Sequence, residues 1–98
     1  MDKLVQVDPI IHAPVRLSVM TILFSVKYAD FNYLKEATGA TDGNLSTHLT
    51  KLENAKYIKT VKRFQAKKPK TTCTITPKGR LAFEEYISVL EQYIKRSL

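Results

Sequence analysis

The chain holds a single cysteine, Cys73, so no disulfide can close within it, and its composition gives no sign of an oxidising compartment. Only three glycines occur, Gly39, Gly43 and Gly79, and no two of them make a phosphate-cradling loop. Long hydrophobic runs are absent. The most apolar stretch, Val15 to Val26, is too short to span a bilayer and is interrupted by Arg16, Ser18, Thr21 and Ser25. The Met1-Asp2-Lys3 start lacks the basic-then-apolar order of a secretory leader, so a cytoplasmic location is expected. There is no internal repeat and no low-complexity tract. Acidic residues are missing from Lys56 to Arg80, which holds nine basic ones.

What remains is 98 residues, 44% hydrophobic and 26% charged, the size and composition of one folded domain spanning 1–98. The net charge of +7 points to an anionic partner, nucleic acid before an acidic membrane surface. Outside Lys56 to Arg80 the charges sum to −2, so the whole excess sits in one quarter of the chain. Solvated surfaces usually mix both signs, and this segment does not.

Asp8-Pro9 is a helix-start signal, and Pro14 limits it to one turn over Pro9 to His12 before a main helix from Pro14 to Lys27. In that helix Val15, Leu17, Met20, Ile22, Leu23 and Val26 are apolar nearly all round, which predicts burial on more than one side. Phe31 is expected as a brief edge strand and Asn32 as the cap of a short helix, Tyr33 to Thr38, with Leu34 and Ala37 inward. Gly39 can take the left-handed conformation that ends it. Thr41 caps a second helix from Asp42 to Ala55. Beyond Tyr57 the period changes to two. Ile58, Thr60 and either Val61 or Phe64 form a strand, Ala66 to Lys70 a basic loop, and Thr71 to Thr76 the returning strand. Thr76-Pro77 then opens a long helix to Arg96. The expected fold is mainly α with a small β-hairpin: helix, helix, helix, hairpin, long C-terminal helix.

At 100° per residue, Leu45, Leu49 and Leu52 form the inward stripe of the Asp42–Ala55 helix, with Thr41 and His48 on its flank. The opposite side carries Gly43, Asn44, Thr47, Thr50, Lys51 and Asn54. Solvent faces of helices favour Glu and Lys pairs, so Thr and Asn here are costly on propensity. Asn reads adenine, and Thr bonds either base type or packs on a thymine methyl. Two helices joined at Gly39 make a helix-turn-helix with its second helix in the major groove, a reading the basic hairpin that follows strengthens. The candidate DNA-contacting residues of that helix are Asp42, Gly43, Asn44, Ser46, Thr47, His48, Thr50 and Lys51. Those of the hairpin are Arg63, Gln65, Lys67, Lys68 and Lys70, placed to meet phosphates. Pro69 stiffens this loop and discourages edge pairing.

Leu34 to Glu53 (LKEATGATDGNLSTHLTKLE) resembles the helix-turn-helix of winged-helix transcription regulators of the MarR and ArsR type. The match is nearest to their small one-domain relatives in archaea and bacteria. The resemblance continues through Tyr57-Ile58, Lys70-Thr71-Thr72 and Thr74 to Arg80, and covers Val15 to Ile94. It implies that Asp42–Ala55 is the recognition helix and Phe64–Thr71 the wing. The family usually has glycine after the recognition helix, where this chain has Lys56. That lysine must either accept the left-handed conformation at some cost or end the helix differently.

His12, His48 and Cys73 lack ligand-pair spacing and show none of the metal-binding clusters of ArsR-type sensors, so neither a metal nor a cofactor is expected. Nothing sets a base beside a nucleophile, so an enzyme is not expected. On the last helix Leu81, Phe83, Tyr86, Ile87, Leu90, Tyr93, Ile94 and Leu98 form a stripe wider than one small core can cover. A homodimer through residues 77–98 is therefore expected, with Met20, Phe83, Tyr86, Ile87, Leu90, Tyr93 and Ile94 at its interface. The expected partner is double-stranded DNA, read sequence-specifically, and not a membrane. The alternatives are a nucleoid-type binder with little sequence preference and a winged helix used only for protein interaction. The residues identify no small-molecule effector.

Overall fold

The computed structural model describes residues 7–98, so the reading of the Met1-Asp2-Lys3 start lies outside the described residues. The chain first makes one turn, in which the Asp8 side chain accepts the Ile10 N–H at 2.8 Å and the Asp8 carbonyl accepts the His12 N–H at 2.9 Å. Helix α1 (Pro14–Ser25) starts on Pro14 and ends two residues before the expected Lys27. Val26 is already extended, because the chain must run straight to pair at β1 (Ala29–Asp30).

Helix α2 (Phe31–Thr38) corrects the sequence reading at its start. Phe31 is helical, not a strand, and the edge strand is Ala29–Asp30 just before it. Asp30 displaces Asn32 as the cap, its carboxylate accepting the Tyr33 N–H at 2.8 Å. Phe31 packs against the core and Leu34 is buried, whereas Ala37, expected inward, is exposed.

Helix α3 (Asp42–Asn54) is capped by Thr41, whose hydroxyl accepts the Asn44 N–H at 3.1 Å, and it buries Leu45, Leu49 and Leu52 as expected. It ends on Lys56 at φ +67°, so this residue does accept the left-handed conformation. The Lys56 N–H bonds the Glu53 carbonyl at 2.9 Å and the Tyr57 N–H the Leu52 carbonyl at 3.0 Å. These are the two bonds of a Schellman ending, made around a lysine where glycine is usual.

Strands β2 (Ile58–Gln65) and β3 (Lys68–Ile75) pair antiparallel out to Gln65 with Lys68. The expected loop Ala66–Lys70 is thus only a two-residue turn, Ala66-Lys67, with φ of +54° and +67°. Positive φ at both positions is the type I′ geometry that matches strand twist. The closing pair of such a turn is hydrogen-bonded, so the next pair, Phe64 with Pro69, is not. Proline's missing N–H therefore faces away from β2, and Pro69 sits in a strand without breaking it. β1 pairs with β3 at Ala29–Cys73 and Asp30–Thr72, giving the sheet order β1-β3-β2. Thr76 is not the last strand residue. Its hydroxyl caps α4 (Pro77–Ser97) by accepting the Gly79 N–H at 2.9 Å.

The core lies where α1, α2, α3 and the inner ends of β2 and β3 meet. Ile11, Met20, Leu23, Leu34, Leu45 and Leu52 are fully buried in it. The segment before α1 is tied over this core. Tyr57 donates to Asp8 at 2.5 Å, His12 Nδ1 is hydrogen-bonded to the Tyr86 hydroxyl at 2.8 Å, and Ile11 is buried.

Candidate nucleic-acid interface

With its leucines buried, α3 turns Gly43, Asn44, Ser46, Thr47, Thr50, Lys51 and Asn54 to the surface together. The Thr47 hydroxyl donates to the Gly43 carbonyl at 3.0 Å and that of Thr50 to the Ser46 carbonyl at 2.9 Å. Their donors are used within the helix, so they present methyl groups and acceptor lone pairs outward. The start of α3 is held to α2 by Gly39, left-handed at φ +72°, and by Lys35 Nζ at 2.9 Å from Asp42. Both side chains of that ion pair are well exposed, so it is worth at most about 1 kcal/mol. Asp42 is thus paired with a cation of α2.

The paired register places Arg63, Gln65, Lys68, Lys70 and Val61 on one face of the hairpin, because side chains alternate along each strand. Lys67 sits in the turn itself. All five wing residues expected from the sequence are thus exposed on one projecting element. The opposite face carries Lys62, Phe64 and Pro69. Phe64 is 81% exposed, a large apolar side chain that the strand pattern did not mark as outward. Lys70 lies 3.5 Å from Asp30, so one wing cation is shared with the edge strand.

His48 stands apart from the rest of α3. It is half-buried, and Arg16 of α1 lies 2.9 Å from its Nδ1. Its pKa is lowered below 6.5, by burial first and then by the charges of Arg16 and Lys51. The contact between Arg16 and His48 is one that the sequence did not predict. The available signal was a cation inside a helix otherwise apolar nearly all round. Cys73 is fully buried in β3, and burial pushes its thiol up to about 11. His12, His48 and Cys73 lie on separate elements, and no cluster of three metal-ligating side chains occurs among the described residues.

The helix α4 stripe divides in two. Phe83 and Tyr86, with Met20 of α1, are buried in the chain's own core. Ile87 and Leu90 are half-buried against the core and Tyr93 is half-buried, while Leu81 is 68% and Ile94 50% exposed, so apolar surface stays open at both ends of the helix. No helix among the described residues is long and apolar enough to cross a membrane.

The family model described as a winged helix DNA-binding domain matches residues 15–94. An uncharacterised protein of Methanocaldococcus jannaschii is 42% identical over 86 residues, 88% of this chain and 94% of that protein. The structure of a transcriptional regulator homologue from Pyrococcus horikoshii OT3 superposes with a TM-score of 0.88 at 31% identity, covering 97% of this chain and 96% of that one. A structure assigned to the MarR family of transcriptional regulators, from Enterococcus faecalis V583, shares the fold at a TM-score of 0.75 and 22% identity, over 90% of this chain and 79% of that one. This chain accordingly belongs to the winged helix DNA-binding domain family and has the fold of MarR-type transcriptional regulators.

Proposed function

We propose that the chain is a sequence-specific, double-stranded DNA-binding transcriptional regulator that works as a homodimer. Helix α3 enters the major groove, and the hairpin lies on the phosphate backbone. The observation that carries this reading is the exposed face of α3, which has no acid beyond the paired Asp42 and gathers Asn44, Thr47, Thr50 and Lys51. The acid-free wing supports it by supplying charge that binds any sequence.

The test compares a duplex selected from a randomised pool with a random duplex of equal length, by anisotropy titration at several salt concentrations. Asn44→Ala and Lys51→Ala are expected to weaken the selected duplex by about 1–3 kcal/mol per lost base contact, and the random duplex less. Lys67→Ala with Lys68→Ala should weaken both duplexes alike and flatten the slope of log affinity against log salt by about two units. Equal losses on both duplexes for the α3 variants would instead mark a nucleoid-type binder. No binding to either duplex by the unaltered chain would leave a protein-interaction role.

A further inference from the structure

Arg16 is 9% exposed, and it takes part in no ion pair among the described residues. Its Nε donates to the Ile10 carbonyl at 2.5 Å, its Nη2 to the Pro9 carbonyl at 3.4 Å, and its Nη1 lies 2.9 Å from His48 Nδ1. A guanidinium has only donors, so His48 Nδ1 must be the acceptor and carries no proton. The proton of the neutral ring is then on Nε2. A doubly protonated ring would set N–H against N–H at this distance, beside the charges of Arg16 on α1 and Lys51 on α3.

Nε2 has no partner among the described residues, and no buried side-chain nitrogen or oxygen there lacks one, so Nε2 is at the surface. The 3.6-residue period puts His48 beside the leucine stripe, further from the centre of the outward face than Asn44 or Lys51. A helix lying in a groove meets the backbone with its flanks and the bases with its centre.

We propose that Arg16 is a positioning residue for DNA binding, holding His48 in the neutral form with its proton on Nε2, which donates a hydrogen bond to a phosphate oxygen of the duplex. The assignment rests on the reading of α3 as the DNA-contacting helix. It adds a property of its own. A neutral donor displaces no counterion, so His48 contributes affinity and orientation without contributing to the salt dependence. The same guanidinium grips the Pro9 and Ile10 carbonyls, so the segment before α1 is tied to the DNA-contacting flank through one side chain.

Two measurements test this. Long-range ¹⁵N–¹H correlation spectra of the free protein at pH 7 should show His48 with Nδ1 bare and Nε2 protonated. In Arg16→Met, or Arg16→Gln should the first not fold, the ring should pass to a mixture of forms, since neither side chain is restricted to donating. On DNA, His48→Gln keeps a donor near the place of Nε2, whereas His48→Asn moves the amide to the place of Nδ1. His48→Gln should bind within about twofold of the unaltered chain, and His48→Asn about tenfold more weakly, the size of one hydrogen bond to a charged group. The loss should be equal on selected and random duplexes, with the salt slope unchanged. A protonated Nδ1 in the unaltered protein overturns the assignment, as does equal binding by the Gln and Asn variants. A loss confined to the selected duplex overturns the phosphate as acceptor in favour of a base edge. An unaltered chain that binds no duplex fails the DNA-binding reading itself.

Discussion

Lys56 holds the end of α3 in a conformation that costs an L-residue free energy, at φ +67°, and its carbonyl is fixed by the Thr76 hydroxyl at 2.6 Å. Glycine adopts this conformation without a Cβ penalty but loses more chain entropy on folding. Lys56→Gly is therefore expected to stabilise the fold by about 0.5–1 kcal/mol net, seen as a higher urea midpoint at unchanged slope. The choice at Lys56 was visible in the sequence, since glycine is usual there and two outcomes were open; only the backbone dihedral decided between them. The Arg16–His48 contact was not visible. It joins residues 32 apart, and periodicity reports only which face a residue occupies, not what meets it across the core. His48 also sets a pH dependence. Above its unfolded value near 6.5 both folded and unfolded chains hold it neutral. Below that, the unfolded chain takes a proton before the folded one does, so stability is full above pH 6.5 and falls as the pH drops toward the lowered folded value. Urea midpoints from pH 7.5 to 5 should fall by less in His48→Gln than in the unaltered protein.

Between elements, the joint that aims the wing is made of backbone. Thr76 N–H bonds the Tyr57 carbonyl at 3.0 Å, and Gly79 in the first turn of α4 packs directly on that same carbonyl. A Cβ at Gly79 would run into the Tyr57 carbonyl oxygen, which is backbone and cannot swing aside. Gly→Ala inside a helix ordinarily gains up to about 1 kcal/mol. Gly79→Ala should instead cost about 1–3 kcal/mol, and the reversed sign in a denaturation titration is the check. The helices could be read from the sequence because caps and apolar spacing agreed, as at Thr41 with Leu45, Leu49 and Leu52. The hairpin was harder. Its turn, Ala66-Lys67, holds none of the Asn or Gly that usually mark a type I′ turn, and Lys68, Pro69 and Lys70 have loop-like composition. Strand pairing overrode that composition and carried the cations outward on a stiff ladder.

The described residues span 53 × 26 × 21 Å, with the charge excess confined to Lys56–Arg80, the segment that contains the wing. That asymmetry was legible as a run of cations, and so was an apolar stripe along α4. Which part of α4 remains to be covered was not legible, because the apolar stripe reads alike over both halves. The core takes Phe83 and Tyr86, Ile87 and Leu90 pack against its edge, and Leu81 and Ile94 stay exposed. In sedimentation equilibrium the protein should run at twice its 11.2 kDa chain mass. Leu90→Asp with Ile94→Asp should return it to the chain mass and remove specific binding with the dimer. A single-chain mass at every loading concentration would contradict the dimer. Hydroxyl-radical footprinting on the selected duplex tests α3 reading DNA within a two-fold assembly most directly. Two symmetric protected patches centred about 34–36 Å apart, one helical turn, are the predicted result. Protection that is uniform along the duplex, or a single patch without symmetry, would contradict it.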